Sequence, residues 1–228
     1  MKRVVYYFAF VVLLVVTVSC GEDNKGPDTP EVKIPKVNAV DLGLSVKWAD
    51  ANVGASSASE YGYYYAWGET VVKQSYSWLN YKWAGGSSSS LTKYCMSETY
   101  GQKDNLFLLE MADDVASLSF GGKWRMPTIE EWKEIKEKCA WEKKIEDGEF
   151  KGYTVSNQET GACIFLPAAG GWENDASHRV GTTGFYWASD LYETKSCYAN
   201  VFFFNNGGLA TSYGNRSFGL PVRAVLAE

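Results

Sequence analysis

The sequence predicts an α+β fold made of short antiparallel strands and two helices. Nine Trp, fifteen Tyr and eleven Phe accompany 22 Gly in 228 residues, a composition typical of short strands joined by tight turns. Apolar residues recur at helical spacing in two central stretches, and alternating patterns precede and follow them. About 190 residues from Val37 onward suffice for one domain with its own core.

The first twenty residues have the pattern of a bacterial lipoprotein signal. Lys2 and Arg3 precede an apolar stretch at 4–16, and the short run after it ends at Cys20. In such signals the cysteine thiol is acylated and becomes the first residue of the mature chain. A membrane-spanning helix, the alternative, needs roughly 20 apolar residues, more than this stretch supplies. We therefore expect a signal peptide at 1–20 and a lipid on Cys20.

Residues 21–37 form a polar linker in this interpretation. They contain three of the six prolines and few apolar side chains, so we expect an extended tether. Glu22 and Asp23 resemble the acidic signal that displays surface lipoproteins of Gram-negative gut bacteria on the outer face. The expected location of the domain at 38–228 is thus the outer membrane, lipid-anchored and exposed at the cell surface.

The charge balance argues against nucleic acid as a partner. Removal of the signal, with Lys2 and Arg3, leaves 20 basic against 27 acidic side chains, a net charge of about −7. Affinity for nucleic acid relies on clustered Lys and Arg, which this chain lacks. The expected partners are the membrane, through the lipid anchor, and a glycan or surface protein.

The first part of the domain shows strand patterning. Segment 40–49 alternates apolar and polar residues with a break at Gly43, which predicts an opening strand pair. A second strand is predicted at 62–68, between glycines. Two glycines and four serines at 85–90 have no apolar side chains that could pack in a core, so a mobile surface loop is predicted there.

Two helices are predicted in the centre of the chain. Apolar residues from 106 to 118 fall at helical spacing. The second helix begins with a capping box, in which Thr128 and Glu131 each accept the other's backbone amide. Its apolar face, assigned to the core, consists of Ile129, Trp132, Ile135 and Cys139.

Strand patterning returns after the second helix. Strands are predicted at 152–155, 162–166, 184–188 and 196–204, followed by a hairpin turn at 205–208, a return strand at 209–213 and a last strand at 218–226. In the fourth of these strands, the alternation assigns Ala199, Val201 and Phe203 to the core. Pro221 marks an edge or a bulge, because proline cannot donate to a ladder.

Seven strings in a fixed order carry a family resemblance. They are VDLGL at 40–44, NVGA at 52–55, YYAWGE at 64–69, WRMPT at 124–128 with EW at 131–132, IFLPAAG at 164–170, YWAS at 186–189 and VRAV at 222–225. Together they resemble the Fibrobacter succinogenes major paralogous domain family over nearly all of residues 38–226. The resemblance implies a C-type lectin-like fold, which formylglycine-generating enzymes and the variable receptors of diversity-generating retroelements also use.

Catalytic chemistry is not expected. His178 is the only histidine, and no Gly-x-Ser-x-Gly motif is present. Formylglycine-generating relatives bind copper through a cysteine pair, but Cys163 and Cys197 lie in predicted strands without that motif. Besides Cys20, the chain has four cysteines, whose three disulfide pairings stay open: Cys95, Cys139, Cys163 and Cys197. The chain is therefore interpreted as a non-enzyme without cofactors.

No metal site is expected either. No close Cys or His pairing suggests zinc. Sugar-binding C-type lectins hold calcium with a Glu-Pro-Asn or Gln-Pro-Asp loop plus Trp-Asn-Asp, and Trp-Glu-Asn-Asp at 172–175 is only similar and lacks the proline-containing partner. The acidic residues Glu110, Asp113 and Asp114 are interpreted as a solvated helix face.

The candidate ligand-binding residues lie between Asp190 and Asn215, where tyrosine and asparagine alternate with predicted core positions. They are Tyr192, Tyr198, Asn200, Phe202, Asn205 and Tyr213. Tyrosine and asparagine provide contact area and adaptable hydrogen bonds at low entropic cost. In the retroelement receptors this stretch faces the ligand, so the resemblance implies an exposed face here. The alternative is that several of these rings pack between strands.

The function predicted from these features is a cell-surface lipoprotein that acts as a ligand-binding module for a glycan or a protein. One alternative is a structural or accessory component of a surface adhesin or fimbrial assembly. Two others follow from the resemblance, namely a retroelement-diversified receptor and a copper-dependent enzyme that uses Cys163 or Cys197.

Overall fold

A computed structural model describes residues 34–227, which form an α+β fold of small antiparallel sheets and two helices. This architecture is the one predicted from the sequence. The strands are β1 (Ala39–Val40), β2 (Lys47–Asn52), β3 (Tyr64–Tyr65), β4 (Trp124–Arg125), β5 (Ala140–Glu146), β6 (Glu149–Ser156), β7 (Cys163–Pro167), β8 (Gly171–Glu173), β9 (Ala176–His178), β10 (Thr183–Leu191), β11 (Tyr198–Asn205), β12 (Gly208–Asn215), β13 (Leu220–Pro221) and β14 (Arg223–Leu226). The helices are α1 (Val115–Phe120) and α2 (Ile129–Lys138), and three 3₁₀ turns lie at Trp78–Asn80, Glu98–Tyr100 and Met111–Asp113.

The strands of the described region form five sheets. Their strand orders are β1-β2-β14-β4, β10-β11-β12, β5-β6-β7, β3-β13 and β8-β9. The first sheet joins both ends of the domain, because Val225 of β14 lies opposite Trp48 on one side and Arg125 on the other. Pairing of β1 with β2 confirms the predicted opening strand pair, and pairing of β11 with β12 confirms the terminal hairpin.

Helix α2 begins at the predicted capping box. The Thr128 hydroxyl accepts a hydrogen bond from the Glu131 amide (3.2 Å), and the Glu131 carboxylate accepts one from the Thr128 amide (2.8 Å). Trp132 and Ile135 are fully buried, and Cys139 packs against the same cluster. The predicted apolar face of this helix is therefore confirmed.

The helix predicted at 106–118 is wrong in its first half. The chain at 106–110 is extended and pairs with the bulged end of β10, where the Leu109 amide donates to the Ser189 carbonyl (2.9 Å). The helix begins only at Val115, because the Asp114 carboxylate caps it by accepting two amides of the first turn. Backbone pairing with a neighbouring strand thus overrides the helical spacing of the apolar residues.

The structure also corrects three smaller predictions, which concern the extent of two strands and the conformation of one loop. The strand predicted at 62–68 contains only β3, and the last strand at 218–226 is divided into β13 and β14. The division falls at Val222, whose carbonyl accepts from the Val53 amide (2.9 Å) and so turns the chain from one sheet to another. The predicted loop at 85–90 is a turn closed by a hydrogen bond from its first amide to its last carbonyl (2.8 Å).

Two apolar clusters cover the two faces of β10 and β11. The first contains Phe202 and Trp132, whose rings stack with centroids 4.7 Å apart at an interplanar angle of 2°. The second contains Val201 and Trp187. Since both faces of β11 are covered at this point, adjacent residues of the strand are buried on opposite sides.

The predicted linker and signal lie mostly outside the described residues. Cys20 and the signal peptide at 1–20 belong to that undescribed part of the chain. Ile34 and Val37, at the end of the predicted linker, pack against the second cluster. No helix within 34–227 has the length and apolarity required to cross a lipid bilayer.

Candidate functional site

The structure brings three of the candidate residues into one tyrosine cluster, Tyr192, Tyr198 and Tyr213. The Tyr213 ring lies 4.3 Å from the Tyr192 centroid and 4.9 Å from the Tyr198 centroid. The cluster forms because Tyr213 of β12 lies opposite Asn200 in β11, two positions along the strand from Tyr198 and on the same face, and because Tyr192 directly follows β10. Tyr213 is 50% exposed, so the cluster presents a ring to solvent.

Asn200 lies beside this cluster with its amide fixed in place. Its Nδ2 donates to the Leu191 carbonyl (2.8 Å) and to the Asp190 carboxylate (2.5 Å). With both amide hydrogens engaged by the protein, the orientation of the Asn200 side chain is fixed.

Asp190 connects the tyrosine cluster to helix α2. The register of β10 and β11 shifts between Trp187 and Leu191, and this irregularity places Asp190 against the first turn of the helix. Its carboxylate accepts from the Ile129 amide at the helix start (2.8 Å). Burial raises the pKa of Asp190 above its ordinary value, against the opposing effect of its hydrogen bonds. Asp190 therefore holds the strand, the helix and Asn200 in one arrangement.

Tyr192, Tyr213, Asn200 and Asp190 line a cleft of about 930 Å³, which we call the tyrosine cleft. Its apolar wall consists of Met96, Phe107 and Leu108, which are 36%, 39% and 50% exposed. Its polar side consists of Thr128, Glu130, Lys133, Asp190, Glu193 and Asn200. Tyr192 and Tyr213 lie on the strand side, next to Thr211 and Ser212. The cleft thus offers aromatic, apolar and hydrogen-bonding groups together.

Two candidate residues do not belong to this site. Phe202 is fully buried and stacks on Trp132, so the prediction that it faces a ligand is wrong. Phe202 does share a face of β11 with Tyr198 and Asn200, but α2 covers that face at Phe202. Asn205 lies at the far end of β11, where its side chain accepts from the Gly207 amide (2.7 Å) and closes the hairpin turn.

Sequence reasoning missed the apolar wall of the cleft. The helical spacing predicts a helix for Phe107 and Leu108, whereas they lie in an extended segment alongside β10, and the Leu191 amide donates to the Phe107 carbonyl (2.9 Å). The local sequence has no signal for this pairing, since the partner strand lies about eighty residues away. The local sequence has no signal for the role of Asp190 either, because the Ile129 amide that it accepts lies about sixty residues away.

A second cavity of about 330 Å³ lies against the opposite face of the same sheet, and we call it the hairpin cavity. The β8-β9 hairpin forms one wall, and Phe185, Val201, Ser212 and Gly214 form the sheet side. His178 lies exposed at this cavity. Trp172 and Glu173, from the segment that partly resembles a calcium motif, line it too. Among residues 34–227, no group of three or more His, Cys, Asp or Glu is arranged to hold a metal ion.

The acidic residues near α1 are not a solvated helix face, so that interpretation is wrong for two of the three. Asp113 and Asp114 are only 4% and 3% exposed. Asp113 accepts hydrogen bonds from Lys82 (3.2 Å) and Lys93 (2.7 Å), while Asp114 caps α1. Both carboxylates therefore have structural partners on the protein.

The cysteines of the described region are all free thiols. Cys163 is exposed on β7. Cys197 is buried and directly precedes β11, a strand of a different sheet. Burial raises the pKa of the Cys197 thiol, which disfavours the reactive thiolate.

Comparison with known protein families gives a match over part of the chain. A family described as a domain of unknown function, DUF8237, matches residues 136–225, from the end of α2 into β14. This span is less than half of the chain and includes the tyrosine cluster. Neither the curated proteins nor the solved structures contain a match to the chain.

Proposed function

We propose that this chain is a ligand-binding lipoprotein of the outer membrane, anchored by a lipid on Cys20 and exposed at the cell surface. The proposal includes membership of the Fibrobacter succinogenes major paralogous domain family and a C-type lectin-like fold. Its support is the order of the seven strings in the sequence, together with an architecture of short antiparallel strands and two helices. Function does not follow from the fold, so the argument rests on the tyrosine cleft.

The observation that carries the proposal is the tyrosine cluster in its cleft. Tyrosine faces pack against the apolar face of a sugar ring or against a protein side chain, while their hydroxyls take part in hydrogen bonds. Asn200, fixed by Asp190, supplies an oriented amide, and Phe107 and Leu108 supply apolar surface. Binding sites typically combine such apolar walls with a few well-placed polar groups.

The test is a ligand screen with matched variants. The mature domain is applied to a glycan array and used to capture proteins from host and bacterial surface extracts. We expect a ligand whose affinity falls about tenfold or more in Tyr213→Ala, as for aromatic residues at the centre of an interface. Leu79→Ala, which removes a side chain that is 86% exposed elsewhere, should bind as the wild type does. Ligands that bind both variants equally would contradict the proposal.

A second candidate function is a component of a surface assembly. It is favoured by Met111, which is 67% exposed and lines a small cavity together with Leu108 of the tyrosine cleft wall. A contiguous exposed apolar patch marks a contact surface. This function predicts co-purification with envelope proteins after detergent extraction, and a monodisperse monomer without partners would argue against it.

A further inference from the structure

Strand β12 is an open edge of its sheet. In the order β10-β11-β12 it pairs only with β11, from Asn205 opposite Gly208 to Tyr198 opposite Asn215. Its residues Thr211, Ser212 and Tyr213 are all exposed. Within the described part of the chain, no other strand pairs with this edge.

The backbone groups that point outward from β12 can be identified. The Arg216 amide donates to the Cys197 carbonyl (3.2 Å), which makes these two residues a hydrogen-bonded pair in the register. Hydrogen-bonded and non-hydrogen-bonded pairs alternate along an antiparallel ladder. The amides and carbonyls of Leu209, Thr211 and Tyr213 are therefore directed away from β11.

Nothing in β12 protects this edge against another strand. Natural edge strands are usually blocked by charged residues, by proline or by a covering segment. The sequence of β12, GLATSYGN, contains neither a charge nor a proline. An edge of this kind is a template for the addition of a further strand.

The two cavities lie on either side of this edge. Ser212 and Gly214 line the hairpin cavity, together with Val201 on the neighbouring strand. Thr211 and Tyr213 line the tyrosine cleft, and Ser212 and Tyr213, at the edge between the two cavities, each border the other cavity as well. Consecutive side chains of a strand added beside β12 point alternately to these two sides.

We propose that β12 binds an extended peptide, which adds to the sheet as a fourth strand and inserts consecutive side chains into the hairpin cavity and the tyrosine cleft. This inference names the ligand class of the proposed binding function and rests on it. The outward groups of Leu209, Thr211 and Tyr213 supply main-chain hydrogen bonds, and the two cavities supply the selection of side chains. The hairpin cavity, with Phe185, Phe218 and Leu220 in its lining, favours a large apolar side chain.

The experiment starts from a phage-displayed library of random linear 12-residue peptides selected on the mature domain. Each selected peptide is then synthesised with single backbone N-methyl groups at successive positions. Methylation removes one amide donor, so we expect losses of about tenfold or more at alternate positions only, with the intervening positions within about twofold. Equal sensitivity at consecutive positions, or no selected peptide at all, would overturn the inference.

A pair of domain variants provides a second, independent measurement. Thr211→Pro removes the outward amide, whereas Thr211→Ala shortens the side chain and keeps that amide. We expect the proline variant to bind the peptide about tenfold more weakly than the alanine variant, because both lack the threonine hydroxyl but only the proline variant lacks the amide. Circular dichroism checks that both variants are folded. If the proline variant does not fold, the N-methyl series tests the proposed strand addition by itself.

Two further outcomes separate this inference from its alternatives. A concentration-dependent dimer that Thr211→Pro dissolves would show that a second copy occupies the edge, and would overturn the peptide proposal. A glycan that depends on Tyr213, with no peptide selected, would support the binding function and refute this ligand class. Peptides that need the Thr211 amide but not Tyr213 would instead support strand addition and contradict the role of the tyrosine cluster.

Discussion

The buried side chain of Arg223 is held by specific hydrogen bonds. Arg223 is fully buried and donates to the Asn52 side chain (2.9 Å) and to the carbonyls of Ala49 and Phe165 (both 2.8 Å). Burial lowers the pKa of Arg223, although its guanidinium stays charged at physiological pH. A guanidinium presents a planar fork of donors that no other type of side chain has. Arg223 therefore links β14, β2 and β7 in a way that lysine cannot reproduce.

Asp113 predicts how stability depends on pH. Burial alone would raise the pKa of this carboxyl, but hydrogen bonds from Lys93, Tyr94 and Lys82 outweigh burial and hold it below its ordinary value. The carboxylate therefore contributes stability that is present above the unfolded-state pKa of about 4 and is lost as the pH falls through the folded-state pKa. We expect the urea midpoint to decrease below about pH 4.

The variant Asp113→Asn tests this assignment. It should be less stable than the wild type at pH 7, and its urea midpoint should change less with pH below about pH 4, because the titrating group is gone. Glu98→Gln, at an exposed position, serves as the control and should retain the wild-type profile. An unchanged profile in Asp113→Asn would contradict the role of this carboxylate.

At the scale of elements, the local sequence predicts where a helix begins better than it predicts which distant strand a segment pairs with. The capping box of α2 needs only Thr128 and Glu131, three residues apart, and it forms as predicted. The helix predicted at 106–118 is wrong because pairing with β10, which is distant in sequence, satisfies the backbone at Leu109. Helical spacing alone does not distinguish these two outcomes.

Thr128→Ala tests the energetic contribution of the cap. The substitution removes the acceptor for the Glu131 amide, and we expect the free energy of unfolding to fall by about 1 kcal/mol. Urea denaturation followed by tryptophan fluorescence measures this loss. Thr92→Ala, at an exposed threonine, should leave the free energy unchanged within error, and equal effects in the two variants would argue against a capping role.

At the scale of the whole molecule, the proposed lipid anchor predicts that the full chain carries a fatty acid. Cys20→Ala should abolish the incorporation of a radiolabelled fatty acid into the protein, since it removes the acylated thiol. Cys163→Ala, which changes an exposed thiol on β7, should incorporate the label as the wild type does. Incorporation of the label into Cys20→Ala would contradict lipidation of this cysteine.

The candidate site was predictable in part. The sequence shows three tyrosines in one terminal stretch, Tyr192, Tyr198 and Tyr213. The predicted hairpin places the last two on adjacent strands. Burial of Phe202 was not predictable, because α2 covers one end of a strand face and leaves the other end open. Alternation assigns residues to a face but does not say which part of the face is covered.

The sequence by itself determined the α+β class, the start of α2 and the hairpin of β11 and β12, because each depends on patterns within about ten residues. Tertiary structure alone decided that Asp190 joins α2 to Asn200, that Phe107 and Leu108 form a cleft wall, and that the edge of β12 stays open. These features depend on which distant segments cover a face or pair with an edge. Burial and strand pairing, not local propensity, set the surface that this domain presents.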